Sequence, residues 1–150
     1  KDVVKSREYF AKAVELGNAN AMYWLGYCYH EGIDCEPSIE KTLELLQRAA
    51  DMKHPGAIFY LAMLYRNGVG APVDYGVLSD TFPFIIAIKP FFLQKKMLRY
   101  LKKGVEVEDT QCMRCLADIY YHGTDGVEVD YPLALQYYHQ VFIISQRKST

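Results

Sequence analysis

Apolar residues recur at helical spacing along this chain, and one order of residues appears three times. The segments that begin at Ala21, Ala57 and Cys112 are AMYWLGYCYHEG, AIFYLAMLYRNG and CMRCLADIYYHG. In each, a small residue is followed four positions later by leucine, then by glycine or alanine, by tyrosine and finally by glycine. Apolar residues three and four positions apart share one face of a helix. The pattern therefore predicts an amphipathic helix, which we name helix A, in each copy.

A second amphipathic pattern precedes each helix A. Thirteen-residue segments that end at the small residue of each copy share one apolar column, formed by Phe10, Leu46 and Leu101. Their periodicity predicts a second helix, helix B. The chain is thus predicted to alternate helix A, a glycine turn, helix B and a short turn.

Small residues have two predicted roles in this alternation. Those next to the leucine of helix A allow neighbouring helices to approach closely; they are Gly26, Ala62 and Ala117. The glycines that end helix A suit a left-handed backbone; they are Gly32, Gly68 and Gly123. Asp130 lies where its side chain can cap the last helix B. The stretch YYHGTDGVEVDYP is therefore predicted to be a joint between helices and not a catalytic site.

This repeating pattern, with its step of 36 residues between the first two copies, resembles the Sel1-like repeat family. Tetratricopeptide repeats are related but step by about 34 residues, and they lack the glycine-bearing loops NGVGAPVD and HGTDGVEVD. The resemblance implies an all-α fold, a right-handed α/α superhelix (solenoid) of antiparallel helix hairpins.

On this resemblance, residues 1–150 form a single repeat domain. It would comprise a lone helix B at about 2–17, a repeat at about 20–53, a stretched repeat at about 56–104 and a last repeat at about 110–145. The stretched repeat carries an insertion at about 76–93. Because residue 1 falls inside a helical pattern, the sequence is expected to be part of a longer protein.

The resemblance implies a protein–protein interaction scaffold or adaptor, whose partner protein or peptide binds the concave wall formed by the A helices. The alternative is a regulatory or substrate-docking module of a larger enzyme, or of a kinase or ubiquitin-ligase assembly. The positions of helix A outside its buried face are the predicted partner-binding residues: Asn20, Tyr23, Tyr27, His30, Phe59, Met63, Arg66, Gln111, Arg114, Asp118 and Tyr121. Tyr23, Tyr27 and Phe59 could equally pack between adjacent helices.

The insertion is a second candidate surface. Between Thr81 and Leu93 lie four phenylalanines and three isoleucines with one charge, an apolar stretch that either adds to the core or docks a partner or a second copy. Its predicted patch consists of Phe82, Phe84, Ile85, Ile86, Phe91 and Phe92. Pro83 and Pro90 argue against one continuous helix here. Uncapped helices at the ends of the repeat array offer another route to self-association.

Composition and motifs argue against several other classes of function. Lys and Arg total 17 against 18 for Asp and Glu, so no basic excess favours nucleic acid. Prolines and a lysine interrupt the longest apolar stretch, so membrane insertion is not expected. A single Cys-x-x-Cys pair at Cys112 and Cys115 falls short of a four-ligand zinc site. With no nucleophile, phosphate-loop or metalloprotease motif, the chain is predicted to be no enzyme and to need no cofactor. Reduced cysteines slightly favour the cytoplasm.

Overall fold

The computed structural model describes residues 3–70, 84–124 and 126–148, with side chains described from residue 8 to 70 and from residue 92 onward within those ranges. Helices and loops, without a strand, make up this described part. Its helices are α1 (Val3–Glu15), α2 (Ala19–Glu31), α3 (Ile39–Asp51), α4 (Pro55–Arg66), α5 (Phe84–Glu106), α6 (Thr110–His122) and α7 (Tyr131–Lys148). The predicted all-α class is confirmed.

The chain forms two compact units, Lys1–Leu61 and Ala62–Thr150. In the first unit α2 packs against both α1 and α3. In the second unit α6 packs against both α5 and α7. The helix A segments are therefore α2 and α6, each in contact with the helices before and after it, together with α4, which spans the boundary between the units.

Side-chain caps and left-handed glycines set the helix ends. Asn18 and Asp109 accept hydrogen bonds from the third backbone N–H of α2 and α6, at 3.0 Å each. Gly32 and Gly123 end these helices with φ of 70° and 65°, where a side chain would be strained. Asp130 accepts from the backbone N–H of Leu133 at 3.0 Å. The predicted capping roles of these glycines and of Asp130 are confirmed.

The repeated leucines form the core, as predicted. Leu46, Leu101 and Leu116 have no exposed surface. A Cβ built on Gly26 would lie 3.2 Å from Cγ of Leu46, closer than about nine in ten real Cβ contacts. A large side chain at position 26 would therefore force α2 away from α3, which explains the small residue in that column.

The insertion departs from expectation. α5 runs without a break from Phe84 to Glu106 and includes Pro90, so the prediction that the prolines prevent a continuous helix is wrong for residues 84–93. Proline removes one backbone hydrogen bond, but residues 93–103, LQKKMLRYLKK, which begin three positions after Pro90 in the same helix, are rich in strong helix formers. Pro83 and Phe82 lie outside the described residues. Among the helices that are described, none combines the length and the apolarity needed to cross a membrane.

Candidate interaction surface

One side of α2 carries aromatic side chains instead of core leucines. Its buried side contains Ala21, Met22 and Leu25. The other side is formed by residues three and four positions apart: Asn20, Tyr23, Trp24, Tyr27 and His30. Trp24 is 47% exposed, while Tyr23, Tyr27 and His30 are half-buried. The helix thus combines a packing side with a broad aromatic side in contact with solvent.

These rings contact one another and Tyr60 of α4, all within the first unit. Trp24 meets Tyr23 and Tyr27 edge to face, with ring centroids 5.3 and 6.0 Å apart. The Tyr60 ring lies 6.2 Å from Tyr23, 5.9 Å from Tyr27 and 5.7 Å from His30. Aromatic pairs at these separations and tilts are favourable. We name Tyr23, Trp24, Tyr27, His30, His54 and Tyr60 the aromatic face.

His54 fixes one edge of the aromatic face. Its Nδ1 accepts a hydrogen bond from the backbone N–H of Ala57 at 3.1 Å and so caps α4. Its Nε2 therefore carries the proton, which it donates to Oδ1 of Asn20 over 2.7 Å. The Tyr23 ring stacks on the imidazole, with centroids 5.1 Å apart. Burial lowers the pKa of His54 and so favours this neutral form.

Polar contacts define the opposite edge. The hydroxyl of Tyr60 lies 2.8 Å from Nδ1 of His30, and the same nitrogen lies 3.0 Å from Oε1 of Glu31. Burial, followed by the negative charge of Glu31, raises the pKa of Tyr60 to about 12. Tyr60 is therefore a neutral phenol at physiological pH. This edge of the face carries one carboxylate, Glu31, whose side chain is 45% exposed.

Tyr23 and Tyr27 were predicted either to face a partner or to pack between helices. The structure shows contacts with Tyr60 that cover part of both rings, while each ring also keeps exposed surface. Sequence reasoning did not select Trp24 or Tyr60. The signal for Trp24 was present, since it lies three residues before Tyr27 on the same helical side.

All but one of the remaining predicted residues of helix A lie in the second unit. Asp118 accepts a hydrogen bond from the hydroxyl of Tyr138, which raises the pKa of that tyrosine to about 12. Tyr121 is 49% exposed and meets Tyr131 edge to face at 5.5 Å. Three further positions are exposed, namely Arg66, Gln111 and Arg114. Met63 is half-buried. Phe59, in the first unit, is half-buried.

Only part of the predicted insertion patch can be described. The backbone of Phe84, Ile85, Ile86 and Phe91 is helical, and their side chains lie outside the described part. Phe92 is 41% exposed. The amino group of Lys96 lies 4.8 Å from the Phe92 ring and 5.0 Å from that of Tyr65. A lysine thus covers part of the apolar surface at this end of the patch.

The paired cysteines are packing residues. Cys112 is fully buried, and burial followed by a hydrogen bond to Asp109 raises the pKa of its thiol. Burial also raises the pKa of Cys115. Both thiols are free, and no group of three metal-ligating side chains occurs among the residues with a described position. Thiols with raised pKa are poor nucleophiles at neutral pH.

Amphipathic helices that pack against their neighbours within each unit, with left-handed glycines at the turns, are typical of α-helical repeat proteins. The Sel1 repeat family model matches residues 1–18, 19–54, 55–76 and 110–140, more than half of the chain. The chain belongs to the Sel1 repeat family. Proteins of this family are typically protein–protein interaction modules and are generally non-catalytic.

Two known proteins illustrate this relationship. Protein sel-1 homolog 2 of Homo sapiens is 29% identical over 137 residues, which are 91% of this chain and 19% of the human protein. The chain therefore spans about a fifth of the length of that relative. The crystal structure of a Sel1 repeat protein from Oxalobacter formigenes matches with a TM-score of 0.66 and 24% identity, over 89% of this chain and 46% of that one. This likeness confirms the fold class of helix-hairpin solenoids.

Proposed function

We propose that this chain is a protein-binding module that holds a partner protein or peptide on its helix A surfaces, chiefly on the aromatic face of the first unit. The observation that carries the proposal is the position of Trp24. It is 47% exposed, yet its ring is held between Tyr23 and Tyr27. A surface tryptophan fixed in this way offers apolar area to a partner at little further cost in side-chain entropy.

The residue types of the aromatic face suit a binding hot spot. Tryptophan and tyrosine are enriched among interface residues whose truncation weakens binding most. The contacts of Tyr60 with Tyr23, Tyr27 and His30 hold the rings in place before a partner arrives. Polar groups of Asn20 and Glu31 border the rings, as in interfaces with an apolar centre and a polar rim.

In the second unit, the corresponding helix A positions form a separate candidate surface with a different character. It combines exposed Arg66, Arg114 and Gln111 with Asp118 and Tyr121. Such a mixed surface would contribute hydrogen bonds and charge pairs to a partner. Met63 supplies an adaptable apolar contact in this unit.

Binding without catalysis fits the way the polar groups are used. Both nitrogens of His54 are engaged, one as the cap of α4 and the other with Asn20. The acid Asp130 caps a helix. His54 and Asp130 both stabilise helix ends. We therefore assign no catalytic role to either residue and no cofactor to the aromatic face.

Selection of peptide ligands tests the proposal. A random peptide library is displayed against the immobilised chain, and the affinity of recovered peptides is measured by fluorescence anisotropy of the labelled peptide. Trp24→Ala is compared with Tyr9→Ala, a matched control because Tyr9 is 69% exposed on α1 of the same unit. Circular dichroism confirms that both variants stay helical.

We expect Trp24→Ala to lower the affinity for the recovered peptides about tenfold or more, the effect of removing a hot-spot residue. Tyr9→Ala should have little effect on this affinity. Equal affinity for the wild type and Trp24→Ala would exclude the aromatic face as the binding surface. Failure to recover any saturable ligand would contradict the proposal as a whole.

A further inference from the structure

We infer that the segment bound by the aromatic face is basic, with an arginine side chain stacked on the rings beside Trp24 and directed toward Glu31. The inference rests on the proposed function and names the chemistry of the partner. It follows from the charge of the surface, from the electrostatics of its rings and from the direction of α2.

The two stretches that carry the aromatic face, α2 and residues 54–61, supply it with no lysine or arginine. Glu31 is the only acidic side chain in these two stretches. The side chain of Glu31 is 45% exposed, and His30 contacts its Oε1. A carboxylate accepts hydrogen bonds at both oxygens, so Glu31 can also receive a guanidinium donor from a partner.

The end of α2 adds to this negative potential. The carbonyl groups at the C-terminus of a helix carry a partial negative charge. α2 ends at Glu31 and is capped by Gly32, so its negative end coincides with the carboxylate. A cation placed there is attracted by both.

The rings themselves favour a cation. The faces of tryptophan and tyrosine are electronegative, and arginine stacks on such faces more often than lysine does. Tyr60 remains a neutral phenol because burial raises its pKa to about 12. The chain already uses this interaction elsewhere, since the Lys41 amino group lies 4.9 Å from the Tyr29 ring centroid. An acidic segment would instead be repelled by the negative charge of Glu31 and by the electronegative faces of the rings.

Trp24 provides a direct readout because it is the only tryptophan of the chain. We propose titrating the protein with an acetylated, amidated decapeptide that carries three arginines among glycine and serine. Matched peptides carry citrulline or glutamate at the same three positions. Citrulline keeps nearly the size and hydrogen-bonding groups of arginine without its charge. The titration follows Trp24 emission at low and at physiological salt.

We expect the arginine peptide to change Trp24 emission saturably and to bind at least threefold more tightly than the citrulline peptide, as an exposed cation–ring contact suggests. The glutamate peptide should leave the emission unchanged. Glu31→Gln should lower the affinity for the arginine peptide by about two- to fivefold. Glu15→Gln, which changes another exposed carboxylate of the same unit, should not.

Failure of this inference differs from failure of the proposed function. If arginine and citrulline peptides bind equally, or if Glu31→Gln has no effect, the basic partner is wrong. If library-selected peptides then still depend on Trp24, the aromatic face remains a binding surface for uncharged segments. If neither the arginine peptide nor any selected peptide depends on Trp24, both proposals are wrong.

Discussion

The imidazole of His54 donates to the side-chain oxygen of Asn20 over 2.7 Å and thereby joins the start of α4 to the exposed side of α2. The donor is fixed because the other ring nitrogen accepts the Ala57 N–H that caps α4. One neutral histidine thus completes a helix end and positions an edge of the aromatic face. Protonation of His54 would remove the cap, because a charged imidazole has no acceptor.

Stability of the first unit should consequently depend on pH through His54. Burial holds the pKa of folded His54 below its ordinary value of 6.5, so the unfolded chain binds the proton more readily. The stability that neutral His54 gives to the folded unit is then complete above pH 6.5. It is lost as the pH falls below 6.5 and through the lower pKa of His54 in the folded state. Urea unfolding followed by Trp24 emission should show a loss of about 1 kcal/mol, the typical value of a cap, between neutral and mildly acidic pH.

His54→Asn is the informative comparison, because asparagine caps a helix without titrating. The stability difference between wild type and His54→Asn should shrink or reverse as the pH falls. His139→Asn, a change at an exposed position on α7, serves as the control and should keep the wild-type pH dependence. The same pH dependence in His54→Asn would exclude the role of His54.

The left-handed glycines that follow α1 and α2 should differ in their tolerance of alanine. Gly32 has φ of 70°, and a Cβ there would lie 2.8 Å from Cγ of Pro37. Gly17 has φ of 76° with no atom within 4 Å of such a Cβ. Gly17→Ala should therefore cost only the backbone strain of about 1 kcal/mol, and Gly32→Ala clearly more. Equal losses in urea unfolding would mean that contact with Pro37 is unimportant.

The leucine column should dominate the stability of the second unit. Leu116 has no exposed surface, whereas Leu135 on α7 is 69% exposed. Leu116→Ala is expected to lower the free energy of unfolding by about 2–5 kcal/mol through lost burial and cavity formation. Leu135→Ala should change it by less than about 0.5 kcal/mol. Thermal unfolding by circular dichroism measures both, and similar values would contradict the assigned core.

Cys112 should resist alkylation in the folded protein. Its thiol is buried and its pKa is raised by burial and by Asp109, while Cys35 is partly exposed. With iodoacetamide at neutral pH, mass spectrometry should show Cys112 modified at least about tenfold more slowly than Cys35. In urea both should react at similar rates. Fast modification of Cys112 in the folded state would argue against its structural role.

Much of the fold follows from local pattern. Leu46, Leu101 and Leu116 were placed in the core because they recur at helical spacing, and the capping roles of Gly32 and Asp130 follow from residue preferences at helix ends. The prediction at Pro90 was wrong because one missing hydrogen bond does not end the helix there, which continues through strong helix formers to Glu106.

The surface was less predictable than the core. The spacing along α2 identified Tyr23 and Tyr27, but the contacts that hold them come from Tyr60, 33 residues after Tyr27 in the chain. Likewise the partnership of His54 and Asn20 joins residues 34 positions apart. Helical periodicity describes one helix at a time. It gives no distance between side chains on separate helices.

Acrylamide quenching of Trp24, with and without a saturating library-selected peptide, measures directly whether a partner covers the aromatic face. Because Trp24 is the only tryptophan and is 47% exposed in the free chain, burial by a partner should lower the quenching constant about twofold or more and shift the emission to shorter wavelength. Unchanged quenching and emission at saturation would show that the partner binds elsewhere and that the aromatic face is not the binding surface.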